Sequence, residues 1–328
     1  MTPYFSIITP IYNKSDCIEK TVTSLLSQTF SNIEIILVDD HSSDDTFSKI
    51  KKLAKQDVRI KAIQHKKNLG VHQARNTGVG AATGKYILFL DGDDYFETNT
   101  CNTIYETIQS HEADVYEFNY YILPEKKENK LKLDDRDRVS ALLSEINSYP
   151  ATIWNKAYKA QIVKKAFKDT PFIPQNGPED LYEAIIMAFY TTTYYHINIP
   201  LYNYSTGSGI STRKRTFHDN EIYFSNMKFI IELIKVFFTK KKSKYVNLIP
   251  QLEGRLVRDA IGWFISNLTV EEDKNRSYLP LSRYFSIESL LPYFDFLSQQ
   301  AQKYNQGKWN IINFLKNIKH GVKNVIQK

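Results

Sequence analysis

The acidic run Asp91-Gly92-Asp93-Asp94 is the feature of this sequence best suited to chemistry. It directly follows Tyr86-Ile87-Leu88-Phe89-Leu90, an apolar stretch typical of a buried strand. Two carboxylates separated by one glycine can converge on a hard cation, and Mg²⁺ or Mn²⁺ is usually held by one or two carboxylates together with substrate phosphate oxygens. An acidic turn that only begins the next helix gives the same pattern. The run therefore predicts a metal site, and the acidic turn is its alternative.

The elements that must position this run alternate between strand and helix. The spacing of apolar residues predicts strands over 4–9, 34–38, 60–63 and 86–90. Asp16 and Glu19 resemble a capping box before the first helix, and Val71, Ala74, Gly78 and Ala81 form a small-residue helix face suited to lie close to a sheet. Repeated βα units predict an α/β fold, a mostly parallel sheet with helices on both faces. Ligands bind beyond the carboxyl ends of such strands, where Asp39-Asp40 and the acidic run both fall.

The second half of the chain is less regular. The pattern predicts a Tyr-rich strand over 115–123, helices over 157–167 and 181–190, and long helices over 222–238, 252–268 and 311–326. A turn rich in Ser, Gly and Thr and a basic Arg-Lys-Arg run precede the long helices. We therefore predict two domains, a catalytic domain over 1–214 and a mainly α-helical, basic accessory domain over 215–328.

Length and composition exclude several classes of protein. The chain has 328 residues, of which 42% are hydrophobic and 24% charged, so it is neither disordered nor a fibrous repeat. It contains two cysteines, Cys17 and Cys101, too few for a disulfide framework and suited to a reducing compartment. No signal-peptide pattern precedes the first strand. These features predict a cytoplasmic protein.

The positive charge is concentrated near the C-terminus. Residues 215–328 hold 18 basic and 10 acidic side chains, whereas residues 1–214 hold 25 and 26. Lysines interleave with an apolar helical stripe formed by Ile311, Leu315, Ile318, Val322, Val325 and Ile326. Such a helix suits the inner face of an anionic membrane, and packing of the stripe within the accessory domain is its alternative. No nucleic-acid recognition motif accompanies the charge, so we predict no nucleic-acid partner.

Five blocks of the sequence together resemble glycosyltransferase family 2. They appear in the order and spacing of the family, and weaker similarities extend the resemblance to about residue 212. The blocks are Ser6-Ile7-Ile8-Thr9-Pro10-Ile11-Tyr12-Asn13, Ser27-Gln28-Thr29, the stretch from Ile36 to Asp44, the stretch from Asn68 to Gly78, and the stretch from Gly84 to Asp94.

The resemblance implies a type A, Rossmann-like nucleotide-sugar-binding fold, inversion at the anomeric carbon, and Mn²⁺ or Mg²⁺ as cofactor. It places Pro10, Tyr12 and Asp40 around a uracil ring, where an aromatic face can stack on the base and a carboxylate can accept its imide N–H. The remaining donor-site residues that it implies are Asp39, Asn68, Arg75, Asp91 and Gly92. Asp93 would be the principal metal ligand, with Asp91 supporting the ribose or the metal.

The family's base aligns with Asp180, which would take the proton of the acceptor hydroxyl as it attacks the sugar. Pro178-Glu179-Asp180-Leu181 also reads as an ordinary helix start, with acidic residues in the first turn. His72, His196 and His218 are candidates for a third metal ligand. The resemblance thus implies transfer of a hexose or N-acetylhexosamine from a UDP-sugar to a glycan or glycoprotein hydroxyl, in bacterial cell-surface glycan synthesis.

Two other functions compete with this one. A sugar nucleotidyltransferase has a similar sheet but needs a glycine-rich phosphate loop after the first strand, where this chain has Thr9-Pro10-Ile11-Tyr12-Asn13. A catalytically inactive carbohydrate- or surface-binding protein could share the fold, but the intact Asp40, Asp91, Asp93 and Asp180 argue against it.

Overall fold

The computed structural model describes residues 2–131, 136–144, 150–173, 178–206 and 217–256. The chain divides into two compact units. One comprises Met1–Leu142 and Tyr149–Arg213, and the other comprises Leu143–Ser148 and Lys214–Lys328.

The first unit begins with four strands that alternate with three helices, as the sequence predicts. They are β1 (Phe5–Ile11), α1 (Ile18–Leu26), β2 (Ile33–Asp39), α2 (Thr46–Gln56), β3 (Ile60–Gln64), α3 (Val71–Ala81) and β4 (Tyr86–Phe89). The elements that follow are β5 (Tyr95–Phe96), α4 (Thr100–Ser110), β6 (Val115–Leu123), β7 (Lys127–Asn129), α5 (Arg138–Leu143), β8 (Lys156–Lys159), α6 (Ala160–Asp169), α7 (Glu179–Phe189) and β9 (Tyr194–Ser205).

All these strands form one sheet in the order β3-β2-β1-β4-β8-β6-β9-β5, with β7 paired to β6. The strands β3, β2, β1 and β4 are mutually parallel, and β6 is parallel to β9. The strand β8 runs antiparallel to both β4 and β6, so the sheet is mixed beyond β4. The α/β fold class is confirmed, and the parallel half of the sheet is the part that the βα repeats predicted.

The strands β1 and β2 are buried along their whole length, which explains their apolar sequences. Glu34 is a buried acid near the start of β2, and its carboxylate is fully engaged. It accepts hydrogen bonds from Ser6 Oγ and from the backbone N–H of Thr83, both at 2.6 Å, and pairs with Lys61 Nζ at 2.6 Å. This group lies at the amino ends of the parallel strands, away from the acidic run.

Two local predictions were wrong. Helix α1 has Cys17 as its N-cap without a side-chain hydrogen bond, so Asp16 and Glu19 do not form a capping box. The helix predicted from residue 157 begins at Ala160, because Lys156–Lys159 instead form β8 between β4 and β6. Pairing with strands distant in sequence outweighs the local helical pattern there.

In the second unit, helix α8 (Phe217–Lys240) is followed by a 3₁₀ helix over Lys244–Leu248 and by helical residues 249–256. The buried stripe of α8 has helical spacing, which confirms the predicted helix; it comprises Phe224, Met227, Ile230, Ile231, Ile234, Phe237 and Phe238. The predicted helix over 311–326 lies outside the described residues. Within the described ranges, no helix combines the length and apolar character needed to cross a membrane.

Gly78 sets how closely α3 approaches the sheet. It is buried, and a Cβ at this position would overlap the Cγ2 methyl of Ile8, in the middle of β1. The predicted small-residue face of α3 therefore packs against the sheet, and Gly78 lets the helix lie close to β1.

We expect Gly78→Ala to lower the free energy of unfolding by about 1–3 kcal/mol, because the added methyl overfills a packed interface. Gly80→Ala is the matched control: Gly80 is exposed on the same helix, and a Cβ there has no neighbour within 4 Å. This control should raise stability by roughly 0.5–1 kcal/mol, the usual gain of Ala over Gly in a helix. Equal effects of the two substitutions in chemical denaturation would contradict the packing argument.

Candidate active site

The loops after β1 (residues 12–17) and β2 (residues 40–45) are joined by hydrogen bonds at the carboxyl edge of the sheet, and together they are called the ledge here. Asn13 donates its backbone N–H to Ser42 Oγ at 2.9 Å and accepts the backbone N–H of Ser43 at 2.8 Å on its side chain. Asn13 and His41 both have left-handed backbone conformations, with φ of 50° and 63°. Asn and His tolerate this conformation better than most residues, so they suit these two turns.

Tyr12 lies on this ledge with 47% of its surface exposed, an unusually open position for an aromatic residue here. Pro10, by contrast, is a buried residue of β1, so it supports the ledge through its backbone. Tyr12 therefore offers an open ring face at the predicted base-binding position.

Asp40 is buried, and both of its carboxylate oxygens are occupied within the protein. Oδ1 accepts the backbone N–H of Leu69 at 2.9 Å and contacts His65 Nδ1 at 2.7 Å, and Oδ2 accepts the backbone N–H of Gly70 at 2.7 Å. Gly70 has φ of 92°, a conformation that favours glycine. Asp40 thus fixes the loop that leads into α3, and its contact with uracil stays a prediction.

The neighbouring Asp39 and Asn68 have different environments. Asp39 Oδ2 accepts hydrogen bonds from Gln64 Nε2 at 3.0 Å and from the Ser42 backbone at 3.2 Å, whereas its Oδ1 is buried without a partner. Asn68 is half-buried, and its Oδ1 accepts the Gly70 N–H at 3.2 Å. The incompletely bonded acceptor at this edge is therefore on Asp39.

The acidic run after β4 packs directly against the β1 ledge. A Cβ on Gly92 would stand 3.3 Å from the Pro10 carbonyl oxygen, and Thr21 Oγ1 donates to the Gly92 carbonyl at 3.1 Å. Asp93 Oδ2 lies 2.5 Å from Lys14 Nζ in that ledge. A side chain at residue 92 would therefore meet a tight contact, which glycine avoids.

Asp94, the last carboxylate of the run, faces the interior. Its Oδ2 accepts the Tyr202 hydroxyl at 2.5 Å and its Oδ1 accepts the Ser205 N–H at 2.7 Å. Burial, with a further contribution from Asp91, raises the pKa of Asp94 to about 8. Asp94 therefore ties the acidic loop to the end of β9, a role that the sequence did not indicate.

Arg75 is the charged centre of the site. Its guanidinium is buried, and Nη1 lies 2.5 Å from Asp180 Oδ1 and 2.9 Å from Glu183 Oε2, while Nη2 lies 3.4 Å from Asp91 Oδ1. The resemblance implies that Arg75 is a donor-site residue, and that role stays a prediction. In the structure Arg75 joins the acidic loop to α7, which brings Asp180 to the same edge as Asp91.

The carboxylates around Arg75 hold their protons more tightly than usual. Burial raises the pKa of Asp91 to about 6, although Arg75 opposes the shift. Burial also raises the pKa of Asp180, against the opposing charge of Arg75 and with help from Glu183. Burial and Asp180 raise the pKa of Glu179 to about 8. Four carboxyl groups thus lie near a single arginine, and a bound cation would reduce the repulsion between those that are ionised.

The predicted donor set for a divalent cation is Asp91 and Asp93. Among the residues that the structure describes, no three His, Cys, Asp or Glu side chains converge on a cation site. Two carboxylates nevertheless suit Mg²⁺ or Mn²⁺, which complete their coordination with water and phosphate oxygens. The Lys14 ammonium already pairs with Asp93 as a cation would. The residues present therefore fit such an ion.

The histidines do not supply a third ligand in this arrangement. His72 Nδ1 contacts Glu183 Oε1 at 2.7 Å, away from Asp93, and His196 lies within β9. The side chain of His218 lies outside the described residues. Glu183, Lys14 and Tyr202 are site residues that sequence reasoning missed, and only the helical spacing of Glu183 from Asp180 could have indicated one of them.

Residues 6–174 match the family described as Glycosyl transferase family 2. The chain belongs to this family.

Curated members of the family match only part of this chain. Glycosyltransferase GlyG of Streptococcus pneumoniae is 37% identical over 129 residues, which are 39% of this chain and 43% of GlyG. The putative glycosyltransferase EpsH of Bacillus subtilis is 30% identical over 213 residues, 62% of this chain and 61% of EpsH. An Escherichia coli enzyme named UDP-Glc:alpha-D-GlcNAc-diphosphoundecaprenol beta-1,3-glucosyltransferase WfaP is 43% identical over 117 residues, 36% of this chain and 46% of WfaP. The chain thus spans less than two thirds of each.

The fold also resembles that of S. aureus TarS. A crystal structure of TarS residues 1–349 with UDP-GlcNAc superposes with a TM-score of 0.59 and 20% identity, and covers 91% of this chain and 81% of that chain. This similarity agrees with the predicted type A fold of the family. The family match ends at residue 174, so Asp180 is connected to the site by Arg75 and not by that match.

We expect Asp40→Asn to destabilise the protein by about 1–3 kcal/mol, because an amide N–H₂ would face backbone donors that now bind a carboxylate. The control is Asp45→Asn, an exposed acid at the end of the same loop, which should change stability by less than about 0.5 kcal/mol. Thermal and denaturant unfolding measure both. A variant with normal stability but weakened UDP binding would show that Asp40 serves the nucleotide and not the loop.

Proposed function

We propose that this chain is a metal-dependent, inverting glycosyltransferase. It would transfer a hexose or N-acetylhexosamine from a UDP-sugar to a hydroxyl of a glycan or glycoprotein, in the synthesis of bacterial cell-surface glycans. The TarS crystal with UDP-GlcNAc and the UDP-glucose named for WfaP support the donor class. WfaP also supports a surface-glycan acceptor.

The observation that carries the proposal is the state of Asp180. Its Oδ1 is held by Arg75, and within the described ranges its Oδ2 has no hydrogen-bond partner, while the side chain is 39% exposed. A general base must reach the proton that it removes and must bind protons readily enough to take it. An oriented carboxylate with one open oxygen and a raised pKa meets both requirements.

The donor would lie along the same edge. The exposed ring of Tyr12 would stack on the uracil at the position that the family resemblance implies. Asp91 and Asp93 would hold Mn²⁺ or Mg²⁺. When bound, that ion would supply positive charge to the leaving diphosphate as a Lewis acid.

The residues then act in a single displacement. Asp180 orients the acceptor hydroxyl and takes its proton while the oxygen attacks C1 of the sugar from the face opposite the diphosphate. The C1–O bond to UDP breaks as the new glycosidic bond forms, so the configuration at C1 inverts. Arg75 would hold Asp180 and the acidic loop in fixed positions relative to each other.

A membrane-surface location is also part of this proposal. It rests on the basic, amphipathic pattern of residues 311–326 and on the lipid diphosphate acceptor named for WfaP. The cytoplasmic face of the membrane is where such a chain would meet both a UDP-sugar and a lipid-linked glycan.

The test is release of UDP from UDP-Glc, UDP-Gal, UDP-GlcNAc and UDP-GalNAc, with water as the default acceptor, in Mn²⁺, Mg²⁺ or EDTA. We expect one donor to be turned over, and only with a divalent cation. Asp180→Asn should lower the rate by about 10²–10⁴, the usual contribution of a general base, and leave the Kd for UDP unchanged. Asp45→Asn is the surface control.

The other outcomes are distinct. UDP binding without turnover of any donor would favour an inactive binding protein on the same fold. Pyrophosphate release from UTP and a sugar 1-phosphate would favour a nucleotidyltransferase. Undiminished turnover in EDTA would remove the metal from the proposal.

A further inference from the structure

The buried face of α7 carries a carboxylate that the proposed reaction does not use. The side chain of Glu183 is 1% exposed, and it lies one helical turn after Asp180, on the same face of the helix. Its two oxygens have different partners. Oε2 lies 2.9 Å from Arg75 Nη1, and Oε1 lies 2.7 Å from His72 Nδ1.

His72 is fixed as firmly as Glu183. Its side chain is 3% exposed, and its ring stacks on Phe167 with centroids 5.4 Å apart and planes 8° from parallel. Its Nε2 is buried and meets no hydrogen-bond partner among the described residues. The geometry therefore places a proton on Nδ1, which the ring donates to Glu183.

This arrangement limits how Arg75 can bind Asp180. The Nη1 group divides its two N–H donors between Asp180 Oδ1 and Glu183 Oε2, and Nη2 is directed to Asp91. A guanidinium without these other partners can close on a carboxylate with two parallel hydrogen bonds. Such bidentate pairing would occupy the open Oδ2 of Asp180, the oxygen that must receive the acceptor proton.

We propose that Glu183 and His72 are positioning residues that act through Arg75 to keep Asp180 singly bonded and open to the acceptor. The inference rests on the proposed role of Asp180 as the base. His72 holds Glu183, Glu183 holds one donor of Arg75, and Arg75 therefore holds only one oxygen of Asp180. The chain of contacts links α3 to α7.

The alternative is that Glu183 only compensates the buried charge of Arg75. Loss of Glu183 would then weaken stability and every function together, whether or not Asp180 is present. A double-mutant cycle separates the two, because residues that act through one another are not additive.

The cycle compares wild type, Glu183→Gln, Asp180→Asn and the double variant. The readouts are kcat and KM for release of UDP from the donor that wild type accepts, and the Kd for UDP. We expect Glu183→Gln to lower kcat roughly 10- to 100-fold, the size of coupling found between contacting residues, and to change KM and Kd less than about twofold. In the Asp180→Asn background it should change kcat less than about twofold.

Glu34→Gln is the control. Glu34, like Glu183, is a buried carboxylate with a cationic partner, here Lys61, but it lies at the opposite edge of the sheet. It should reduce stability without reducing kcat. If Glu183→Gln does not fold, His72→Asn runs the same cycle and should give a smaller loss of kcat that also disappears in the Asp180→Asn background.

Equal effects of Glu183→Gln with and without Asp180 would overturn the inference and leave the base assignment intact. Parallel loss of UDP binding and kcat would overturn it as well. If Asp180→Asn itself retains full activity, the proposed base is wrong, and the inference falls with it.

Discussion

A buried guanidinium shared by carboxylates from separate elements is the constraint on which this site depends. Moving Arg75 out of water is costly unless its charge is matched. Asp91 comes from the loop after β4, and Asp180 and Glu183 come from α7, more than 80 residues later in the chain. Because Arg75 needs these partners, the folded chain must bring α7 to the edge where the acidic loop ends.

The parallel half of the sheet and its carboxyl edge could be predicted from the sequence because their signals are local. Each βα unit has its own apolar spacing, and the acidic residues stand where strands end: Asp39 and Asp40 at the end of β2, and Asp91 just after β4. The small face of α3 is also local, and Gly78 shows why it is small. The order of the strands beyond β4 could not be predicted. The residues of β8 have a local helical pattern, and they form a strand because they pair with β4 and β6.

The roles of individual side chains were harder to predict from the sequence than their positions. Arg75 and Asp40 bind groups within the protein, and their expected contacts with a donor stay predictions. Their partners lie 16 to 108 residues away in the chain, a separation at which spacing carries no information. Glu183 and His72 look like ordinary helix residues until the fold places them together. Asp180 reaches the same edge as Asp91 through Arg75, and its role as the base stays a prediction.

The central role of Arg75 is tested most directly by comparing the stability of Arg75→Met with that of the triple variant Arg75→Met, Asp180→Asn, Glu183→Gln. Removing the arginine alone leaves the buried Glu183 carboxylate without its cation, along with the partly exposed Asp91 and Asp180, and we expect it to lower the free energy of unfolding by about 3–5 kcal/mol. Neutralising Asp180 and Glu183 as well should restore most of that loss, because the charges that Arg75 matched are then gone. If the triple variant is as unstable as the single one or less stable, Arg75 does not hold this site together.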